Sequence, residues 1–315
     1  MEKRILGTSG LAFAPLVLGG HVFGEAADEA TSLSLIDAFV ERGFSMIDTA
    51  DVYSTWVPGH RGGESETIIG EWLRRGGARD KIIIATKVGM DMKEAGKGLS
   101  KAHIIRSAEA SLRRLGTDII DLYQTHVEDI HVPIEETLEA FASLIEAGKV
   151  RAIGASNTFA PRLADALATS AAKGLPRYAS LQPHYNLVNR ALFEGSLQKL
   201  CVDEGLGVLP FRGLEAGFLT GKYRRLEDTE GKRRGATVAH FLDPRGLDIL
   251  GELDKAAVRF NATPAQIALA WLLAQPGITA PIVSATSLVQ LEEIMGATEI
   301  TLDARALDRL DKVSA

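Results

Sequence analysis
Eight short apolar runs, each followed by an amphipathic stretch, set what this chain can become. They cover residues 15–19, 44–48, 81–87, 119–126, 150–156, 179–182, 207–211 and 280–284. The runs are rich in Val, Ile and Leu and mostly lack alternation with polar residues, which is the pattern of parallel strands buried on both faces. The intervening stretches carry helix signals. Residues 33–40 repeat apolar side chains at helical spacing and stop at Gly43. Ile68, Ile69, Trp72 and Leu73 share one face; Ile104, Ile105, Ala108, Leu112 and Leu115 share another, closed by Gly116. Pro133 with Glu135 and Glu136 marks a helix start that Gly148 ends. Thr263-Pro264-Ala265-Gln266 and Ser287-Leu288-Val289-Gln290 both read as capping boxes.

Eight such units predict an α/β fold, a closed (β/α)8 TIM barrel formed as one domain over residues 1–315. The rival, a doubly wound sheet, calls for a GxGxxG turn after its first strand, and Gly19-Gly20-His21-Val22-Phe23-Gly24 does not supply one. Residues 4–6 and 11–13 around Gly7-Thr8-Ser9-Gly10 predict a β-hairpin ahead of the barrel. The least regular region, residues 223–248 with Lys232, Arg233 and Arg234, is expected to form a flap.

Composition narrows the function. There are 35 Lys+Arg against 41 Asp+Glu, a net charge of -6 that argues against nucleic acid as the main partner. Cys201 is the single cysteine, so neither an intrachain disulfide nor a Cys-based zinc site is available. The spacing of His126 and His131 fits no strong metal signature either, and no metal is expected. No uninterrupted apolar run of about 18 residues is present, so no membrane partner is expected. The opening Met1-Glu2-Lys3-Arg4 lacks the apolar run of a signal peptide, which makes the expected location cytoplasmic.

In a barrel the reactive groups belong at the C-terminal ends of the strands. Asp48, Lys87, His126, Ser156 with Asn157, and Gln182 stand at those positions on five consecutive strands. Tyr53 follows Asp48 in the first long loop. A phenol of ordinary pKa ~10 is a poor acid at neutral pH, and an adjacent ammonium such as that of Lys87 is expected to lower it. Asp48 would keep the lysine charged, and His126 would offer a hydrogen bond to the same substrate oxygen. The four form a proton donor aimed at an oxygen gaining negative charge, as carbonyl reduction requires.

Six motifs in order carry a resemblance. They are Phe44-Ser45-Met46-Ile47-Asp48-Thr49-Ala50-Asp51-Val52-Tyr53, Ile84-Ala85-Thr86-Lys87, Asp121-Leu122-Tyr123-Gln124-Thr125-His126, Gly154-Ala155-Ser156-Asn157, Gln182-Pro183-His184-Tyr185-Asn186 and Gly217-Phe218-Leu219-Thr220-Gly221-Lys222-Tyr223. Together they resemble the aldo-keto reductase superfamily over essentially the whole chain. The resemblance implies a catalytic tetrad of Asp48, Tyr53, Lys87 and His126, with hydride moving to or from a nicotinamide that lies across the barrel mouth. It implies that Ser156, Asn157 and Gln182 hold the carboxamide, that Tyr185 stacks on the ring, and that Gly20, His21 and Asp48 lie beside it. Phe211, Arg212 and Leu214 stand where many relatives carry an aromatic-Ser-Pro-Leu run along the pyrophosphate, and Lys222 resembles a phosphate clamp. Ser284, Thr286, Ser287, Gln290 and Glu293 align with the adenosine end, where Thr286 and Ser287 at a helix N-terminus would hold a 2′-phosphate. The resemblance also favours NADP(H), with NAD(H) or dual use open.

The substrate is expected to be a small carbonyl compound or alcohol, met by Phe23, Tyr53, Trp56 and His126, with His131 nearby. A homo-oligomer stays open. Two other readings compete. The β subunits of voltage-gated potassium channels share this fold and tetrad and serve as cofactor-binding regulators, which predicts tight cofactor and little turnover. A barrel aldolase would use Lys87 as a Schiff-base lysine but leaves Ser156, Asn157 and Gln182 without a task.

Overall fold
The computed structural model describes residues 2–315. β1 (Arg4–Ile5) and β2 (Ala12–Phe13) pair antiparallel as the expected hairpin. Eight parallel strands follow: β3 (Val17–Gly19), β4 (Met46–Asp48), β5 (Ile83–Val88), β6 (Ile120–Thr125), β7 (Val150–Ser156), β8 (Tyr178–Gln182), β9 (Gly207–Val208) and β10 (Ile282–Val283). Their order is β10-β3-β4-β5-β6-β7-β8-β9. The ring closes where Thr279 N donates to Val208 O at 2.9 Å and Ile282 N to Pro210 O at 2.8 Å, joining β9 to the approach of β10. Residues of β6 and β8 are buried throughout, the two-faced burial expected of parallel barrel strands, and it extends to the polar Asp121, Gln124, Ser180 and Gln182. The apolar runs overestimate β9 and β10: Leu209 N bonds Leu181 O, Phe211 N bonds Pro183 O and Pro281 O accepts Val17 N, while Pro210 O and Ala280 N bond across the seam, and none of them extends either strand.

Helices α1 (Glu29–Glu41), α2 (Glu64–Arg74), α3 (Lys101–Leu115), α4 (Ile134–Glu146), α5 (Ala160–Lys173) and α6 (Ser196–Asp203) each follow a strand. α7 (Gly235–Val238) is a single turn inside the flap; α8 (Pro244–Phe260), α9 (Pro264–Ala274), α10 (Leu288–Gly296) and α11 (Ala304–Ser314) complete the coat. The flap is thus shorter than the sequence implies, because Pro244 at the first turn and the Asp243 side chain on Gly246 N begin a regular helix. Thr263 and Gln266 form the expected reciprocal capping box on α9. The pair at α10 differs: Ser287 accepts from Gln290 N, but the Gln290 side chain turns to Thr286. No helix among the described residues is long and apolar enough to cross a membrane.

The hairpin plugs the N-terminal end of the barrel. Its Leu6 and Phe13 join inward-facing Val17, Met46, Ala85, Leu122 and Ala152 in one apolar cluster. Gly7 makes the plug possible: it takes φ +50°, and a Cβ there would lie 2.1 Å from Ala179 O. With the bottom sealed and layered, the open C-terminal mouth is left for polar groups. Two loops overhang it, residues 49–63 after β4 and residues 209–243 after β9.

Candidate active site
Side chains of a strand alternate between its faces, so the inward positions Met46 and Asp48, Ala85 and Lys87, and Leu122 and Gln124 stack as layers. The lower member of each pair is apolar and fills the barrel; the upper is polar and lies under the mouth. Lys87 is fully buried and Asp48 nearly so. Lys87 Nζ donates to Asp48 Oδ2 at 2.6 Å, to Thr49 O at 2.8 Å and to Tyr53 OH at 2.9 Å. All three ammonium protons are therefore directed. Asp48 Oδ1 accepts from Gln182 Nε2 at 2.9 Å and, more weakly, from Gln124 Nε2 at 3.4 Å. Gln124 escapes a reading based on strand ends, because it lies two residues inside the end of its run; inward parity with Lys87 is the signal that finds it.

Tyr53 is partly open to the mouth. Its ring meets His126 edge-on at 5.9 Å between centroids and His21 at 5.2 Å. Burial pushes the Tyr53 hydroxyl up to about 12, against the lowering by Lys87 and with a further rise from Asp48. The expected acidified phenol is thus corrected. Lys87 acts in the expected direction, but its charge is already met by Asp48 at the shorter distance, and desolvation decides the net shift. Burial also acts to lower the Lys87 ammonium, yet Asp48 and Tyr53 outweigh it and hold the ammonium above its ordinary range. Burial, Lys87 and His21 all push His126 well below its usual value, so its imidazole is neutral, with Nδ1 buried and without a protein partner. A neutral imidazole can donate one N–H without adding charge.

Ser156, Asn157 and Gln182 do converge. Ser156 Oγ donates to Gln182 O at 2.9 Å, and Asn157 Nδ2 donates to His126 O at 2.9 Å. Asn157 takes φ +49°, a left-handed turn that Asn tolerates and that turns its amide back over the strand ends. Gly20 is packed against Ser65, where a Cβ would fall 2.6 Å from the hydroxyl. His21 lies exposed on the rim, stacked on the half-exposed Trp56 at 4.9 Å.

Two aromatic assignments need correction. Tyr185 is fully buried between Phe193 and Trp271, with its hydroxyl donating to Glu194 Oε1 at 2.7 Å, so it faces the helical coat and not the mouth. The partly exposed aromatic beyond β8 and β9 is Phe211, which stacks on His184 at 5.2 Å. Phe23 is likewise fully buried in the main core, so it supports the substrate side from behind instead of lining it.

The turn after Phe211 is strained. Arg212, Glu215, Ala216 and Gly217 all have positive φ, at roughly 1 kcal/mol or more for each non-glycine residue. Buried Glu215 holds it, accepting from His184 Nε2 at 2.6 Å, Asn186 Nδ2 at 2.8 Å, Asn189 Nδ2 at 2.6 Å and Arg212 Nη1 at 3.1 Å. Burial would raise its carboxyl, but these donors hold it at about 2. No local sequence pattern marks this role. Leu214 is bound into the turn as its carbonyl accepts Gly217 N at 2.9 Å. Lys222 and the flap residue Arg234 have no carboxylate partner among the described residues. Burial, Arg233 and Arg212 lower the Arg234 guanidinium, and burial, Arg234 and Lys232 lower the Lys222 ammonium. A partly buried, unpaired guanidinium among like charges calls for an anion. Arg234 was visible in the sequence only as part of a basic run.

At the β10 end, Ser284 Oγ donates to Gly19 O at 2.7 Å and ties the two strand ends together. Thr286 N and Oγ1 both bond Gln290 Oε1, at 2.9 and 3.0 Å, so Gln290 occupies the donors expected to meet a phosphate. Ser287 caps α10, and the Glu293 carbonyl accepts Gln266 Nε2 at 2.9 Å.

A barrel whose C-terminal mouth carries a buried lysine bridging an aspartate and a tyrosine defines a class of oxidoreductase scaffold, and comparison with known proteins agrees. The family model described as the aldo/keto reductase family matches residues 15–315. An uncharacterized oxidoreductase, YrpG, of Bacillus subtilis strain 168 is 35% identical over 99% of this chain and 96% of its own length. The aldo-keto reductase YhdN of the same strain is 36% identical over 91% of this chain and 84% of its own. An aldo-keto reductase of Fusarium vanettenii is 32% identical over 94% of this chain and 86% of its own. The chain belongs to the aldo/keto reductase family and is an oxidoreductase of that family's nicotinamide-linked kind.

Proposed function
We propose that this protein reduces an aldehyde or ketone with NADPH, and that Tyr53 delivers the proton. The observation that carries the reading is the 2.9 Å contact of the buried Lys87 ammonium with a phenol that opens onto the mouth. When bound, NADPH supplies the hydride. The phenol keeps its proton at neutral pH and releases it to the substrate oxygen as that oxygen becomes an alkoxide, a much stronger base than phenolate. The phenolate left behind stands beside Lys87, which is already oriented by Asp48, so little reorganisation is needed. His126, neutral at the same opening, donates a hydrogen bond to the carbonyl oxygen and polarises it.

The residues present fit the dinucleotide. Phe211 offers a flat apolar face at the mouth, and Ser156, Asn157 and Gln182 offer donors and acceptors for an amide. Arg212, Lys222 and Arg234 surround a region with surplus positive charge suited to phosphates. That surplus suits the pyrophosphate that NADPH and NADH share, and the preference for NADPH rests on the likeness to the aldo/keto reductase family. Trp56, His21 and the tetrad wall the substrate side.

A panel of aldehydes, ketones and sugars, run with NADPH and NADH side by side, tests the reading. Carbonyl-dependent oxidation of NADPH, faster than that of NADH, is expected. No oxidation of either cofactor across the panel would overturn it.

A further inference from the structure
One carboxylate joins the substrate wall to the flap. Glu25 Oε1 accepts from Trp56 Nε1 at 2.9 Å, and the same oxygen accepts from Arg233 Nη2. The three residues come from three separate segments: the loop after β3, the long loop after β4, and the flap. Glu25 Oε2 is buried with no partner, so the carboxylate depends on these two donors. Its own backbone is the firm point. Gly24 N bonds Ala27 O at 2.8 Å and Ala27 N bonds Val22 O at 3.0 Å, fixing a tight turn against the buried end of β3. Trp56 and Arg233 are both about half exposed, on longer loops.

The two donors reach that oxygen from the two loops that overhang the mouth. Trp56 stacks on His21 and lies 6.4 Å, centroid to centroid, from the Tyr53 ring. Arg233 precedes Arg234, the unpaired flap cation that also feels the Glu25 charge. From this we infer that Glu25 is a positioning residue that couples closure of the phosphate flap to the placement of Trp56 in the substrate wall. The coupling rests on the assignment of the flap to cofactor and of Trp56 to substrate, but the contact itself exists without either ligand. Two charge-assisted bonds sharing one acceptor order both loops together; loss of one loosens the other.

The test uses ligand-free, full-length protein and two readouts. Acrylamide quenching reports on Trp56, because Trp72 and Trp271, the other two tryptophans, are 6% and 0% exposed. Tryptic cleavage within residues 232–234, followed by mass spectrometry, reports on flap opening. Arg233→Ala is expected to raise Trp56 quenching about two-fold or more, although it removes nothing from the Trp56 loop. Trp56→Phe is expected to raise flap cleavage roughly ten-fold, although it leaves every flap residue in place. Glu25→Ala should do both, Glu25→Gln should raise cleavage with a smaller change in quenching, and the Glu25→Ala/Trp56→Phe double variant should be cleaved no faster than Glu25→Ala. Unchanged quenching in Arg233→Ala, unchanged cleavage in Trp56→Phe, or additive cleavage in the double variant would overturn the coupling. None of these measurements involves NADPH oxidation, so they stand or fall apart from the proposed activity.

Discussion

The floor of the mouth and its phosphate rim are built on opposite terms. On the floor, Asp48, Lys87, Gln124 and Gln182 are buried, and their hydrogen bonds run to one another. The strands position them, and the ammonium has all three protons placed. On the rim, Lys222 and Arg234 carry charge without a carboxylate partner among the described residues, while Gln290 covers the donors of Thr286. The floor is complete in the free protein; the rim is completed only by an anion. Under the proposed function, preorganisation is spent where charge would develop during reaction, and unmet charge is kept where the dinucleotide would bind.

This contrast can be broken from either side. The largest effect is expected on the floor. Lys87→Met leaves the Asp48 carboxylate buried without its cation, and about 3–5 kcal/mol of stability should be lost. Denaturant unfolding checks it; a loss well under 1 kcal/mol would mean that the floor is not a finished network. The rim should behave the other way. Arg234→Ala should leave the unfolding midpoint near wild type, since no ion pair is broken, while weakening NADPH binding by about 1.5–3 kcal/mol, roughly ten-fold or more in Kd. Fluorescence titration measures the second quantity. An unchanged Kd would detach Arg234 from the phosphates.

A smaller effect sharpens the comparison behind the floor. Asp51, two residues before Tyr53, is buried with both oxygens unpartnered, and burial with the neighbouring Glu66 pushes its carboxyl up to about 8. A folded-state value above the unfolded one (~3.9) means that its stabilising contribution is full at acid pH and lost as pH rises toward about 8. Asp51→Asn should therefore be close to wild type in stability near pH 4 and more stable on the order of 1 kcal/mol near pH 8. Equal pH dependence of the two proteins, read from urea midpoints, would show that Asp51 is not held protonated.

How much of this was legible follows from what each residue depends on. Asp48, Lys87, Ser156 and Gln182 lie at strand ends and His126 directly follows one, so strand parity fixes where they point once the barrel is recognised, while Asn157 depends on its own left-handed turn. The fold itself was readable because unbroken apolar runs have few alternatives. Tyr185 and Phe211 show the limit: both are aromatics just past strand ends, and only packing against Phe193 and Trp271 decides that the first turns outward. Glu215, Glu25 and Arg234 were hidden for a related reason. Glu215 and Glu25 take most of their partners from other loops, and Arg234 has no carboxylate partner among the described residues, so no local spacing marks them. The Tyr53 shift is not legible because sequence reveals the neighbouring charge but not that Asp48 already holds it, nor how little water remains.

The central claim is that the Tyr53 phenol, braced by Lys87, hands a proton to a carbonyl oxygen. Tyr53→Phe keeps the ring and deletes the hydroxyl, so single-turnover NADPH oxidation with a saturating aldehyde measures the claim directly. The rate should fall by about 10²–10⁴ while the NADPH Kd stays within a few-fold of wild type. A variant that oxidises NADPH at the wild-type rate would contradict it.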